Sequence, residues 1–352
     1  MWGFLPVDAD FWVKKTDNSA RCLLCPRVCI IKTGQKGWCG VRAYQNENLI
    51  ALTYGRISSV NPDPIEKKPL YHFYPGSGVY SIGGVGCNLG CLNCQNWNIS
   101  RAKPDDYLRD MSPKQVIELT KQSGCISWAA TYNEPTIWLE YVRDIGKLAS
   151  KNQIKTVLVT NGYITPKALQ SVAPLIDGAN IDIKGINDYY FQEICLAPSV
   201  KPILKAAKTM KSHGVHVEVT NLIIPGKNDT EDQITDLIDW IYHNLGPSTP
   251  THFSRFYPHY QMRDIPRTPI PTLENAYKIA KDRGLHYVYL GNVPGHSGNH
   301  TYCPGCGTRL IKRIGFDIQE YKITSDNRCS ACDMQILLRG YYTKKLKNQR
   351  FR

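Results

Sequence analysis

Gly78-Val79-Tyr80-Ser81-Ile82 leads within a few residues into Gly86-Cys87-Asn88-Leu89-Gly90-Cys91-Leu92-Asn93-Cys94. The first run is short, apolar and bears β-branched residues, the pattern of a buried strand. The second spaces its cysteines C-x3-C-x2-C, with no fourth cysteine nearby in the sequence. Thiolates with small spacers and a glycine between them fold around an iron–sulfide cubane. Three ligands leave one iron of a [4Fe–4S] cluster without a protein thiolate, and an open metal position separates a chemical site from a structural one. A zinc knuckle or scattered buried thiols are the competing readings, and three ligands fall one short of a closed zinc site.

Further short apolar runs lie at Cys125–Ala130, Thr156–Val159, Ala179–Ile183, Val215–Thr220, His252–Phe256 and Tyr287–Leu290. Helical stretches separate them. Ser112-Pro113 precedes Val116, Ile117 and Leu119; Thr165-Pro166 precedes Leu169 and Val172. Thr230 precedes Ile234, Leu237, Ile238 and Ile241 at i, i+3, i+4, i+7 spacing, with a capping residue in front of an apolar stripe. Repeated strand–helix alternation implies a parallel sheet, either a barrel or an open doubly wound sheet. The first strand then delivers the cysteine loop at its C-terminal end, the face on which parallel α/β proteins bind ligands.

The chain of 352 residues is 42% hydrophobic and 21% charged, an ordinary globular composition rather than a disordered one. No run approaches the ~18 apolar residues of a membrane span, and Met-Trp-Gly-Phe-Leu-Pro at the start lacks a signal peptide's basic and apolar regions. A cytoplasmic protein without membrane contact is the expectation. The thirteen cysteines then read as metal ligands or redox groups before disulfides. Cys22, Cys25, Cys29 and Cys39 form a second group, which suits zinc or an iron–sulfur centre. Cys303, Cys306, Cys329 and Cys332 form a third, two C-x2-C pairs with the spacing of a zinc ribbon, with iron as the alternative. His296 and His300 lie near enough in sequence to serve as substitute ligands there. Cys125 reads as a buried structural thiol, and Cys195 is left over.

The C-x3-C-x2-C loop after a first strand resembles the signature of radical SAM enzymes, and more closely their pyruvate formate-lyase activating branch. Gly37-Trp38-Cys39-Gly40-Val41-Arg42, Cys94-Gln95-Asn96-Trp97, Tyr132-Asn133-Glu134-Pro135-Thr136, Asn292-Val293-Pro294-Gly295-His296 and Tyr302-Cys303-Pro304 are similar to the radical SAM member of the AmmeMemoRadiSam system. The resemblance implies a partial (β/α)6 TIM-like barrel over 73–295. It places an N-terminal four-cysteine module over 1–72 and a zinc-ribbon-like extension with a basic tail over 296–352. It also implies a [4Fe–4S] cluster on Cys87, Cys91 and Cys94 with S-adenosylmethionine (SAM) on the open iron; ligand count favours zinc at the two further four-cysteine sites. Reductive cleavage of SAM to a 5′-deoxyadenosyl radical, followed by hydrogen abstraction, is the implied chemistry.

SAM presents a sulfonium, an amine, a carboxylate and ribose hydroxyls, which call for complementary groups on successive strand ends. Glu134 is placed like the acidic residue that contacts the SAM amine. Thr160 and Asn161 end the third strand, Asp182 and Lys184 suit a ribose and a carboxylate, and Asn221 follows the fifth long strand. Each has a plainer reading: a turn for Thr160-Asn161-Gly162, an internal ion pair for Asp182 and Lys184, a helix N-terminal carboxylate for Glu134. The family's aromatic before the third cysteine is Asn93 here, leaving Trp97 as the nearby flat surface for adenine or as a core residue. The segment His252–Tyr260 lies beside the last strands as a substrate entrance or an aromatic core edge.

Two substrate classes are open, a protein (as for a glycyl radical enzyme activase) and a tRNA. A net charge of +13 and the run Lys344–Arg352 favour RNA, unless the tail is only solvated. A non-catalytic, metal-stabilised nucleic-acid-binding protein is the reading from another class. The implied partners are an electron donor such as ferredoxin or flavodoxin, with Memo-like and AMMECR-like proteins suggested by the group's name.

Overall fold

The structure is a computed structural model that describes residues 6–104 and 108–343; the basic run Lys344–Arg352 lies outside them. Eight strands form one central sheet: β1 (Ser59–Pro64), β2 (Gly78–Gly83), β3 (Ser127–Ala130), β4 (Lys155–Thr160), β5 (Gly178–Asp182), β6 (His216–Ile223), β7 (Thr251–Arg255) and β8 (Val288–Gly291). They lie side by side in chain order. β2 to β8 are parallel, and β1 is antiparallel to β2. The edge strands β1 and β8 do not pair with each other, so the mostly parallel sheet is open rather than a closed barrel. All seven apolar runs of the sequence are parallel strands of this sheet.

Six helices carry the crossovers: α1 (Pro113–Gln122), α2 (Leu139–Lys151), α3 (Pro166–Val172), α4 (Lys201–Ser212), α5 (Glu231–Leu245) and α6 (Ile270–Asp282). Their starts follow from local chemistry. Ser112 Oγ accepts from Gln115 N at 3.2 Å while Gln115 Oε1 accepts from Ser112 N at 2.7 Å, a capping box ahead of Pro113. Thr230 Oγ1 accepts from Gln233 N at 3.3 Å, and α5 buries Ile234, Leu237, Ile238 and Ile241. That is one apolar stripe against the sheet.

The N-terminal residues form two small antiparallel sheets, whose Leu24, Ile31, Val41 and Tyr44 join the main core. Ser59–Pro64 falls inside the expected N-terminal module of 1–72, yet it forms β1 and belongs to the central sheet. Its Pro62 and Pro64 hid the strand in the sequence. Proline lacks a ladder donor and is tolerated only at an edge, which is where β1 lies.

Three C-terminal strands, Thr301–Tyr302, Arg309–Ile314 and Asp317–Tyr321, pack Leu310 and Ile311 against Tyr71, Tyr287 and Tyr289. A buried polar network fastens this extension near the start of β6 and β7. Glu218 accepts from Tyr71 N at 3.0 Å, His72 N at 2.7 Å, His216 Nε2 at 3.0 Å and His252 Nε2 at 2.7 Å. Arg313 reaches across from the extension, donating to Thr301 Oγ1 at 2.8 Å and Tyr71 O at 3.1 Å. Burial opposes ionisation of Glu218, but hydrogen bonds from His216 and His252 outweigh it and hold the carboxyl below its ordinary 4.5. Burial pushes His72 down to about 3.

Both groups make acid destabilising. His72 is neutral when folded, so unfolding takes up a proton below pH 6.5, and the Glu218 contribution is lost on further descent below 4.5. The urea midpoint is therefore expected to be highest above pH 7 and to fall from about pH 6.5 downward. His72→Phe should flatten the first part of that decline. Glu218→Ala strands four buried donors and should cost about 3–5 kcal/mol at neutral pH, read from the same titrations.

Candidate active site

The loop after β2 is held from several sides. Gly86 has φ +85°, and a Cβ there would lie 2.4 Å from Cys39 O, so only glycine fits between the N-terminal residues and the loop. Gly90 N donates to Cys195 O at 2.8 Å, Leu92 N to Ile194 O at 2.9 Å, and Arg101 Nη2 to Leu89 O at 2.5 Å. Arg27 donates to Asn88 O and Leu196 O and stacks over Trp38, 3.9 Å from its ring centre. Cys87 Sγ receives Leu89 N–H at 3.4 Å and Asn161 Nδ2 at 3.7 Å, and Cys94 Sγ lies 3.7 Å from Ser100 Oγ. Donors of this kind are the protein's means of tuning a cluster's potential.

Cys87, Cys91 and Cys94 face a cleft of about 390 Å³ at the C-terminal ends of the strands. Asn93, Glu134, Thr160, Asn161, Asp182 and Lys184 also line it. Glu134 is 2% exposed and caps the short helix Pro135–Trp138. Its Oε1 accepts from Thr136 N at 2.9 Å, Thr136 Oγ1 at 2.7 Å and Thr160 Oγ1 at 2.7 Å. Among the described residues its Oε2 takes only Asn161 N, at 2.8 Å, so one oxygen keeps acceptor capacity. Burial raises its pKa, opposed by these donors. Asn161 Nδ2 also donates to Asn88 Oδ1 at 2.9 Å, tying the carboxylate's support to the cysteine loop. Lys184 Nζ pairs with Asp182 Oδ2 at 2.9 Å. Burial works against the lysine's charge, but Asp182 and the thiols of Cys91 and Cys195 overcome it and raise its pKa.

Two residues singled out in the sequence lie elsewhere. Asn221 is buried and donates to Ile183 O at 2.8 Å, bracing the end of β5. Its neighbours Thr220 and Leu222 line the cleft instead, as strand alternation requires. Trp97 is 38% exposed and stacks on Tyr260 with ring centres 5.2 Å apart and 11° between planes.

Residues 81–241 match the model of the Radical SAM superfamily. The uncharacterized protein MJ0808 of Methanocaldococcus jannaschii is 44% identical over 331 residues, 94% of this chain and 98% of that protein. Residues 81–241 thus carry a radical SAM domain. The pyruvate formate-lyase 1-activating enzyme of Escherichia coli is 25% identical over 172 residues, 47% of this chain and 65% of that enzyme. A solved domain of the pyruvate-formate lyase-activating enzyme from Bacteroides vulgatus covers 47% of this chain and 98% of its own, with 19% identity and a TM-score of 0.40.

A radical SAM domain implies a [4Fe–4S] cluster and SAM, and the cleft's donor set fits them. Asn93 Oδ1 and Thr220 Oγ1 are buried without hydrogen-bond partners among the described residues, and both residues line the cleft. Thr220 had escaped the sequence reading. So had Lys68, 3% exposed and lining the same cleft. Its Nζ pairs with Asp63 Oδ2 at 2.7 Å and lies 4.5 Å from the ring centre of Tyr132, whose hydroxyl donates to the same oxygen at 2.8 Å. Burial opposes the Asp63 charge, yet Lys68 and these donors bring its pKa down to about 2. In sequence, Lys67-Lys68 looks like any surface pair. Cys195, remote in sequence, is buried with its thiol beside that of Cys91.

Cys303, Cys306, Cys329 and Cys332 have sulfurs within 4.8 Å of one another. The pairs Cys303–Cys332 and Cys306–Cys329 are 3.6 and 3.7 Å apart. A tetrahedral ion with ~2.3 Å bonds to sulfur sets its ligands about 3.8 Å apart, so this quartet fits one metal ion. His296 pairs with Glu274 and His300 Nδ1 accepts from Arg313 N, and neither joins the quartet. Cys22, Cys25, Cys29 and Cys39 line a separate cavity with Asn88 of the cysteine loop.

Gly86→Ala tests the loop's support. Its Cβ would strike Cys39 O at 2.4 Å and Val41 Cγ1 at 2.9 Å in a backbone region costly for any side chain. Iron bound after anaerobic reconstitution is expected to drop well below wild type, with the far-UV circular dichroism retained.

Proposed function

We propose that Cys87, Cys91 and Cys94 hold a [4Fe–4S] cluster whose open iron binds SAM, and that the enzyme abstracts hydrogen from a protein substrate in the manner of an activase. The observation that carries this is the convergence of the open three-thiol loop with Glu134, Asp182, Lys184 and the two unpartnered polar atoms on one cleft. With cluster and SAM bound, the chemistry supplied is one-electron reductive cleavage of SAM and hydrogen abstraction by its 5′-deoxyadenosyl group. The chain's residues bind and orient. Glu134 Oε2 accepts from the SAM amine, Lys184 meets the carboxylate, and Asp182 receives ribose hydroxyls. Asn93 Oδ1 accepts from the adenine amine, a polar contact where an aromatic ring would only stack.

The protein substrate class is supported by the likeness to the E. coli activating enzyme over 47% of this chain. A second reading, modification of a tRNA, is favoured by the net charge of +13. Placement in the AmmeMemoRadiSam group rests on the sequence motifs alone, and a cytoplasmic location on the lack of a membrane-span-length apolar run among the described residues. A low-potential one-electron donor of the ferredoxin or flavodoxin class completes the system. We assign zinc to Cys303, Cys306, Cys329 and Cys332 on the spacing of their sulfurs.

Anaerobically reconstituted protein with SAM and dithionite should release 5′-deoxyadenosine, and the Cys87→Ala, Cys91→Ala, Cys94→Ala variant should release none. Absence of product, together with an EPR spectrum of the reduced cluster that SAM leaves unchanged, would refute the assignment. Glu134→Gln removes a charge-assisted hydrogen bond of about 1.5–3 kcal/mol and should weaken SAM binding while the cluster still loads. Cys306→Ser with Cys332→Ser should lose one equivalent of zinc by elemental analysis and lower the thermal midpoint of the C-terminal extension.

A further inference from the structure

We propose that Cys22, Cys25, Cys29 and Cys39 hold a second iron–sulfur cluster, and that it relays single electrons to the cluster on Cys87, Cys91 and Cys94. The relay rests on the function proposed above; the site itself does not.

The two cysteine quartets are built at different scales. Those of the C-terminal extension gather within 4.8 Å, and no other group of three Cys, His, Asp or Glu ligand atoms among the described residues does so. The N-terminal thiols are thus spread more widely than one ion requires. They nevertheless share one cavity. Four thiolates on one ion occupy a small tetrahedron, with edges of about 3.8 Å. In a cluster each thiolate binds its own iron, so the sulfurs occupy a larger one. The sulfurs of Cys87, Cys91 and Cys94 likewise do not all lie within 4.8 Å of one another.

Arg42 is a second, independent observation. It is 1% exposed, lines the same cavity, and its Nε has no hydrogen-bond partner among the described residues. The rest of its guanidinium is committed to Asp10 O at 2.8 Å and to Glu140, and it lies beside the thiols of Cys22 and Cys39. A buried N–H there calls for an acceptor, which the sulfides and thiolates of an anionic cluster provide.

The cavity backs directly onto the other cysteine loop. Asn88, next to Cys87 in the chain, lines it; Arg27 lines it too and grips Asn88 O; and Cys39 O abuts Gly86. On the outer side Trp38 is 47% exposed. One electron enters from a reduced one-electron protein donor, which is oxidised. It then passes to the oxidised cluster on the three cysteines, which is reduced, with no bond or proton changed.

Iron, sulfide and zinc are counted on anaerobically reconstituted wild type and on the Cys87→Ala, Cys91→Ala, Cys94→Ala variant. The expected wild type holds about eight irons per chain, and the variant keeps about four with the sulfide-to-iron absorption of a cluster. About four irons in wild type, all lost in the variant and accompanied by a second zinc, would overturn the site; the wild-type count decides even if the variant misfolds. These counts do not depend on SAM cleavage, so the two proposals fail separately. For the relay, Cys25→Ser with Cys39→Ser should keep the other cluster and its reduction by dithionite but lose the fast phase of reduction by a reduced ferredoxin. An unchanged fast phase would discard the relay.

Discussion

Three thiols that must face one open cleft need a loop that does not relax, and the structure meets that need by clamping the loop between two bodies. Arg27 and Cys39 press on it from the N-terminal residues, while Gly90 and Leu92 hang from the backbone of Cys195 and Ile194 after β5. Two of the contacts tolerate no side chain, at Gly86 against Cys39 O and at Gly90 against Leu196. The N-terminal cysteine residues are therefore part of the loop's support. Anything bound there would stiffen the candidate active site through contacts already in place.

The opposite end of the sheet is organised by a different force. Glu218 collects four buried donors from three segments of chain, and Arg313 carries the network into the C-terminal extension. A buried carboxylate is costly unless every lone pair is used, so the arrangement specifies one docking of these segments. The cleft end keeps partly unpartnered polar atoms, Asn93 Oδ1 and Thr220 Oγ1, where a ligand can use them. At the structural end the buried carboxylate of Glu218 is met by four donors, whereas the open polar atoms of the cleft face space a ligand can fill.

Much of the fold was legible because its signals are local. The parallel strands buried on both faces read as apolar runs, and Ser112 and Thr230 announced helices through bonds to residues three positions on. The edge strand Ser59–Pro64 was not legible, since its two prolines argue against a strand and only its edge position permits them. In the site, Glu134 could be picked out at a strand end, whereas Lys68 could not. A lysine's burial depends on Asp63 and Tyr132 arriving from distant positions, and nothing in its neighbours reports that.

The sequence by itself determined the cysteine spacings, the alternation of strand and helix, and the side of the sheet on which the three-cysteine loop emerges, because each depends on residues close together in the chain. Only the tertiary structure decided that Asn221 braces β5 while Thr220 lines the cleft, that Cys195 lies beside Cys91, and that the two cysteine quartets differ in scale. Those facts depend on strand register and on contacts between residues far apart in the chain. Spacing along a chain fixes which groups are available, and packing fixes the distances and directions on which their chemistry depends.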